Sequence, residues 1–225
     1  MPTLTNQELI NRVPWLEMLT PDQIKSLHKD LTKHRFKRNE CVVEYGKQSN
    51  SLFIILAGRA RVVMTSPNGR VVILAKLQVG DCIGDMSLID NDPHSATVIA
   101  DVQLDVLIMS REAFLRCLMN NPMVALSIMR GLVKRLRLAN QKISSFALME
   151  VSQRVAIALL ESAVADNEGK LMVQGKLSHL DIAKMVGASR EMVTRTMKKL
   201  EAQSFIEKTI EGVVRVNERR KKSRI

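Results

Sequence analysis

Four glycines, Gly46, Gly58, Gly69 and Gly80, stand 12, 11 and 11 residues apart, and between and beyond them run short segments rich in β-branched residues. The segments SLFIILAG, ARVVMT, RVVILAKL, SATVIA and VQLDVLIMS lie between residues 51 and 110. Turns at such even intervals fold a chain antiparallel on itself, and glycine supplies the positive φ that tight corners need. The spacing predicts a small antiparallel roll or barrel from residue 34 to about 109. Ahead of it two short helices are expected, over 5–12 and 20–32. The second is capped by Thr20, opened by Pro21 and striped by Ile24, Leu27 and Leu31.

After a short helix over 111–119, the period changes at Pro122 to that of a long helix reaching about residue 148. A heptad reading places Leu126, Met129, Val133, Leu136, Asn140 and Ile143 along one narrow seam. A narrow apolar seam on a helix otherwise covered by Arg and Lys suits a two-stranded coiled coil, so a homodimer is expected. The alternative is an amphipathic helix packed on its own roll. Asn140 puts a polar group in the seam, either to fix the register of the pair or to bind something else.

The formal net charge is +11, and its distribution matters more than its size. Residues 1–129 are nearly neutral, with 14 basic and 13 acidic residues. Residues 130–142 carry Arg130, Lys134, Arg135, Arg137 and Lys142 with no acid, and residues 143–225 hold 15 basic and 10 acidic residues. A basic C-terminal half points to an anionic partner such as nucleic acid. The three cysteines, Cys41, Cys82 and Cys117, are scattered without a CxxC or a histidine at ligand spacing. They are read as reduced, mostly buried thiols, with no metal or iron-sulfur cluster expected. No apolar run reaches the roughly 18 to 20 residues of a membrane span, and the N-terminus lacks a signal-peptide pattern. A cytoplasmic location without membrane association is expected.

Residues 151–165 (VSQRVAIALLESAVA) read as helical and lead through the loop ADNEGK to SHLDIAKMVGASREMVTRTMKKLEAQSF, residues 178–205. Ser178 with Asp181 makes a capping-box-like start, and Leu180, Ile182, Ala183 and Val186 are expected to face inward. Gly187 ends this helix and Ser189 caps the next, a helix-turn-helix arrangement. At about 100° per residue, Arg190, Glu191, Thr194, Arg195 and Lys198 share one polar face of the second helix, opposite Val193, Thr196, Met197 and Leu200. Arg can bind guanine O6 and N7 as a fork and Glu can accept from cytosine N4, so this face suits the major groove of double-stranded DNA. FIEKTIEGVVRVN then alternates around Glu-Gly as a hairpin, making a winged helix whose Arg215 is a candidate phosphate contact. The chain ends on the basic run ERRKKSR.

Taken together these motifs describe an α+β protein in three parts: an N-terminal β-roll over 1–120, a dimerisation helix over 121–148 and a C-terminal winged helix-turn-helix over 149–225. In that order, and with glycines at 46, 58, 69, 80 and 84, the chain resembles the CRP/FNR family of bacterial transcription regulators. GASREMVTR is similar to the recognition helix of the cyclic-AMP receptor branch. The resemblance implies that Arg190, Glu191 and Arg195 read a TGTGA half-site, that the operator is a TGTGA-N6-TCACA-like palindrome, and that RNA polymerase is a partner. Ser189 at the cap and Thr194 and Lys198 on the polar face complete the candidate DNA contacts. The absence of an N-terminal cysteine cluster argues against the iron-sulfur branch.

The resemblance also makes VGDCIGDMSLIDNDPHSATVIA, residues 79–100, a phosphate-binding cassette, in which Gly84, Asp85, Met86, His94 and Ser95, with Asn140 of the long helix, hold an effector. The family's Glu and Arg are replaced here by Asp85 and His94, and its Thr-Ser pair by Ala139 and Asn140. Asp is one methylene shorter than Glu, and His offers neither a permanent charge nor a bidentate fork. Cyclic AMP, another nucleotide or metabolite anion, and no effector at all remain the alternatives. No P-loop, no paired carboxylates and no nucleophile with its base are evident, so an enzyme is not expected. The rival readings are an effector-independent DNA binder with a non-binding roll and a nucleotide-sensing subunit that acts on a partner protein. His28, His34, His94 and His179 are each lone histidines, for which surface or core packing is the default.

Overall fold

The computed structural model describes residues 30–166, 168–173, 177–209 and 213–217, together with Val13, Leu19, Thr20, Asp22 and Gln23. It divides into two compact units, Met1–Leu138 and Ala139–Ile225.

The first unit holds two four-stranded antiparallel sheets. One runs in the order β1 (Leu31–Phe36), β8 (Leu104–Ser110), β3 (Ser51–Ala57), β6 (Cys82–Ile83). The other runs β2 (Cys41–Val43), β7 (Thr97–Ala100), β4 (Ala60–Thr65), β5 (Val71–Leu77). The unit also holds the helices α1 (Asp85–Asp90), α2 (Arg111–Asn120) and α3 (Pro122–Leu148), the last of which continues into the second unit. Because side chains alternate across a strand, the apolar run of β3 serves two cores. Phe53 and Ile55 point into the roll with Val98, Ala100, Leu104 and Val106, while Leu52, Ile54 and Leu56 pack with Leu88, Phe114, Val124 and Ile128 of the helices. The four evenly spaced glycines all have positive φ. Gly58 is also constrained by space, since a Cβ there would lie 2.3 Å from the Gln103 carbonyl oxygen.

The second unit contains α4 (Val151–Glu161), α5 (His179–Val186) and α6 (Arg190–Ala202) against the sheet β11 (Ile206–Lys208), β12 (Val214–Val216), β10 (Leu171–Val173), β9 (Ala163–Ala165). Val155, Leu159, Ile182, Val186, Val193, Met197, Leu200 and Ile206 form its core. Arg154 staples this unit internally, donating to the Val186 and Met149 carbonyl oxygens at 3.1 and 2.9 Å and lying over the Phe146 ring. No helix among the described residues is long and apolar enough to cross a membrane.

Several expectations are corrected. Leu31 opens β1 and pairs with Met109 instead of ending a helix. Ala163–Ala165, expected to be helical, forms β9: the helix closes at Ser162 and the three residues pair with Leu171–Val173. Of the three free cysteines only Cys117 is buried; Cys41 is exposed on β2 and Cys82 half-buried. Leu180 is 49% exposed, because three buried positions, Ile182, Ala183 and Val186, fill the inner face of so short a helix. The helix expected over 5–12, the positions Pro21, Ile24 and Leu27, the Glu211-Gly212 turn and the tail at 218–224 lie outside the described residues.

Candidate functional site

The loop from β6 into α1 turns at Gly84, whose φ of +89° no ordinary side chain adopts cheaply and whose Cβ would lie 2.9 Å from the Ser51 carbonyl oxygen. Asp85 begins α1 and is buried, its side chain only 4% exposed. Both its carboxylate oxygens are taken by the guanidinium fork of Arg135 on α3, Nη1 donating to Oδ1 at 3.2 Å and Nη2 to Oδ2. Burial opposes the charge of Arg135, and the hydrogen bond and charge of Asp85 outweigh it, so the Arg135 pKa rises. The Asp85 carboxylate is therefore committed to an ion pair within its own chain.

His94 is buried and held on every side. Its N–H donates to the Lys47 carbonyl and its own carbonyl accepts from the Gly46 N–H, both at 2.9 Å. The ring lies between two hydroxyls, with Ser87 Oγ 2.9 Å from Nδ1 and Ser49 Oγ 2.9 Å from Nε2. One serine accepts from the ring N–H and the other donates to the bare nitrogen, which satisfies a neutral imidazole. Burial also lowers its pKa, so His94 is uncharged at neutral pH. Ser95 and Met86 are exposed beside this closed cluster. Asn140 is exposed on α3, in the second unit.

On the seam of α3, Met129, Val133, Leu136 and Ile143 are exposed and Leu126 is half-buried. A different stripe, Val124, Ile128 and Leu132, packs on the roll.

The helix pair of the second unit is built from local signals. Ser178 and Asp181 exchange hydrogen bonds as a full capping box on α5. Gly187 closes α5, and Ser189 caps α6 by accepting from the Met192 N–H at 3.2 Å. Val193, Met197 and Leu200 are buried, while Ser189, Arg190, Glu191, Arg195 and Lys198 are exposed and Thr194 is half-buried. The Glu191 carboxyl is held below the usual carboxylate range by its own backbone N–H and the Ser189 hydroxyl, with Arg190 and Arg195 adding charge, so it is an acceptor at neutral pH. The hairpin forms in the register Glu207↔Arg215. Arg215 pairs with Glu207 at 2.6 Å and its Nε donates to Asn217, so a phosphate would have to compete for it.

Comparison with known proteins agrees in both halves. Residues 33–121 match the cyclic nucleotide-binding domain model and residues 153–221 the Crp-like helix-turn-helix domain model. The chain belongs to the CRP/FNR family of transcription regulators. Its curated relatives include the CRP-like cAMP-activated global transcriptional regulator of Mycobacterium tuberculosis, 28% identical over 193 residues, covering 84% of this chain and 86% of that one. The cAMP-activated global transcriptional regulator CRP of Escherichia coli O157:H7 is 28% identical over 179 residues, 77% of this chain and 84% of its own. Among solved structures, the c-di-GMP responsive global regulator CLP of Xanthomonas campestris superposes with a TM-score of 0.75 at 22% identity, over 88% of this chain and 100% of that one. That likeness establishes the fold.

As a CRP/FNR member, the chain is a DNA-binding transcription regulator with a cyclic-nucleotide-binding β-roll and a helix-turn-helix. The sequence reading missed four residues of these sites: Arg135, which pairs with Asp85; Ser49 and Ser87, which enclose His94; and His179, which bonds Thr194. Arg135 stood out only as one cation in a basic run, and no sequence spacing marks the two serines.

Proposed function

We propose that this regulator works as a homodimer that reads a TGTGA-N6-TCACA-like palindrome through Ser189, Arg190, Glu191, Thr194, Arg195 and Lys198. The observation that carries the reading is α6 itself: capped at Ser189, buried along one side and bearing exposed Arg190, Glu191 and Arg195 on the other. Pairing along Leu126, Met129, Val133, Leu136, Asn140 and Ile143 would cover the exposed apolar stripe of α3. A dimer with reading helices about 34 Å apart enters successive major grooves on one face of the duplex. On this reading residues 1–120 capture the effector, 121–148 pair the protomers and 149–225 read DNA, with RNA polymerase as the downstream partner.

The effector is a small anion of the cyclic-nucleotide type, held by Gly84, Asp85, Met86, His94 and Ser95 of the first unit. Since His94 is neutral, the cation available beside Asp85 is Arg135 on α3, the helix that also carries the seam. Effector binding and operator binding then strengthen each other by the same factor. Gel-shift titrations of a TGTGA palindrome against a scrambled duplex at fixed salt, with and without a panel of cyclic nucleotides, test both halves. Preference for the palindrome supports the reading face, and equal binding to both duplexes overturns it. Tighter operator binding with one nucleotide supports the effector, and indifference to all of them overturns it.

A second reading, an effector-independent DNA binder, is favoured by the closure of the cradle. Asp85 and His94 both have their partners within the chain, and no buried side-chain polar atom among the described residues lacks one. It predicts full operator preference in nucleotide-free protein.

A further inference from the structure

His179 is the first residue of α5, and its Nδ1 lies 2.9 Å from the Thr194 hydroxyl on α6. The same hydroxyl donates to the Arg190 carbonyl oxygen, also at 2.9 Å. Thr has one hydroxyl proton and two lone pairs. If that proton went to His179, two oxygens would face each other at bonding distance with none between them. Both contacts are attractive only when His179 Nδ1–H donates to Thr194 and Thr194 donates to Arg190. The order of donation therefore sets the tautomer: Nδ1 carries the proton.

From this relay we infer that His179 is a positioning residue for DNA recognition, acting through Thr194 on the start of the reading helix. The inference rests on α6 being the element that reads bases, as proposed above. His179 lies within the Ser178–Asp181 capping box, whose two reciprocal bonds close the turn that carries it. Across the helix pair it ties the first turn of α5 to the first full turn of α6, where Arg190 begins the exposed face. Helix pairs packed through small apolar side chains can slide and rotate slightly, and a directional bond at this end resists that motion. The relay also sets the chemistry of Thr194. With its proton held by Arg190, Thr194 offers DNA an acceptor and a methyl group and no donor. It can therefore accept from an exocyclic amine or touch a thymine methyl, but it cannot donate to guanine.

Two other roles for His179 make different predictions. A phosphate contact would contribute equally on any sequence and would add about one unit to the salt slope. A packing role would appear in stability and not in sequence preference. The experiment begins by selecting the preferred site of the wild-type protein from a randomised duplex pool. It thus runs even if the TGTGA assignment is wrong, and failure to select any site would overturn the reading-helix assignment itself. Affinities for the selected site and for a scrambled duplex are then measured by fluorescence anisotropy at several salt concentrations, for H179A, H179N, H179Q and T194V.

Loss of one or two neutral hydrogen bonds corresponds to about three- to tenfold in affinity. We expect H179A and T194V each to lose about that much on the selected site and much less on the scrambled duplex, with an unchanged salt slope. H179N puts an amide N–H close to the place of Nδ1 and should restore most of the preference; H179Q puts it in the place of Nε2 and should not. The double variant H179A/T194V should lose no more than T194V alone, since T194V already breaks the relay. Equal losses on the two duplexes with a shallower salt slope would overturn the proposal in favour of a phosphate contact. So would unchanged preference in H179A, or failure of H179N to recover it when thermal melting shows the variant folded.

Discussion

The two halves of this regulator treat their polar residues in opposite ways. In the roll, Asp85, Ser87 and His94 are buried, and each is bonded to another part of the same unit. In the reading head, Arg190, Glu191, Arg195 and Lys198 stand in solvent on one side of a helix whose other side is anchored by Val193, Met197 and Leu200. The difference follows from what each side must avoid. A buried charge or imidazole without a partner is destabilising by several kcal/mol, so a small enclosed site must be satisfied before any ligand arrives. A surface that meets DNA keeps its groups hydrated until binding and has no such constraint. A ligand of the roll has to exchange an existing bond, whereas DNA has only to displace water and counterions.

The largest expected effect attacks the closed side. R135L leaves the Asp85 carboxylate buried without its fork, which should lower unfolding free energy by about 3 kcal/mol in urea titration. The low end of the usual range applies because the Arg135 side chain is 41% exposed. Adding D85L should recover most of the loss, since the destabilisation comes from an orphaned charge and not from a missing attraction. Full stability in R135L would break the comparison.

R190A attacks the open side. It should reduce affinity for the selected operator by about 1–3 kcal/mol and relax preference at one guanine, with no change in the urea midpoint. An equal loss on scrambled DNA would show Arg190 to be a phosphate contact instead.

S87A removes one of the two hydroxyls around His94 and should destabilise the protein by about 1 kcal/mol, with no direct effect on the reading face. The smallest effect is a pH dependence. Burial lowers the His94 pKa below its ordinary value of about 6.5, so the unfolded chain binds the proton more readily than the folded one. The stability from neutral His94 is complete above pH 6.5 or so and is lost as pH falls through that value towards the lower, folded one. Replacing His94 by Gln should flatten the stability profile below about pH 6.5 relative to wild type, as followed by urea midpoints at a series of pH values. Parallel profiles would show that His94 is not the group responsible.

Much of the reading head was legible in the sequence because its signals are local. A capping box spans three residues, a recognition face repeats within about four, and Gly187 terminates α5 where the apolar pattern stops. In the roll, the glycine spacing and the apolar runs likewise marked β3, β4, β5 and β8. What failed was local pattern in conflict with pairing. Ala163–Ala165 has no strand signature and becomes β9 because β10 offers it a free edge. The exposure of Leu180 was misjudged because two turns of helix define an inner face too loosely.

By itself the sequence determined the order of roll, long helix and winged reading head, and the identity of the residues displayed on α6. Each of these leaves its signal in residues a few positions apart. Only the tertiary structure decided that Asp85 is met by Arg135, 50 residues away, and His94 by Ser49, 45 residues away. The same holds for His179, which reaches Thr194 across 15 residues. Such contacts leave no periodic trace, because which side chains meet across a closed roll or a helix pair depends on strand register and on the direction each side chain takes from its backbone.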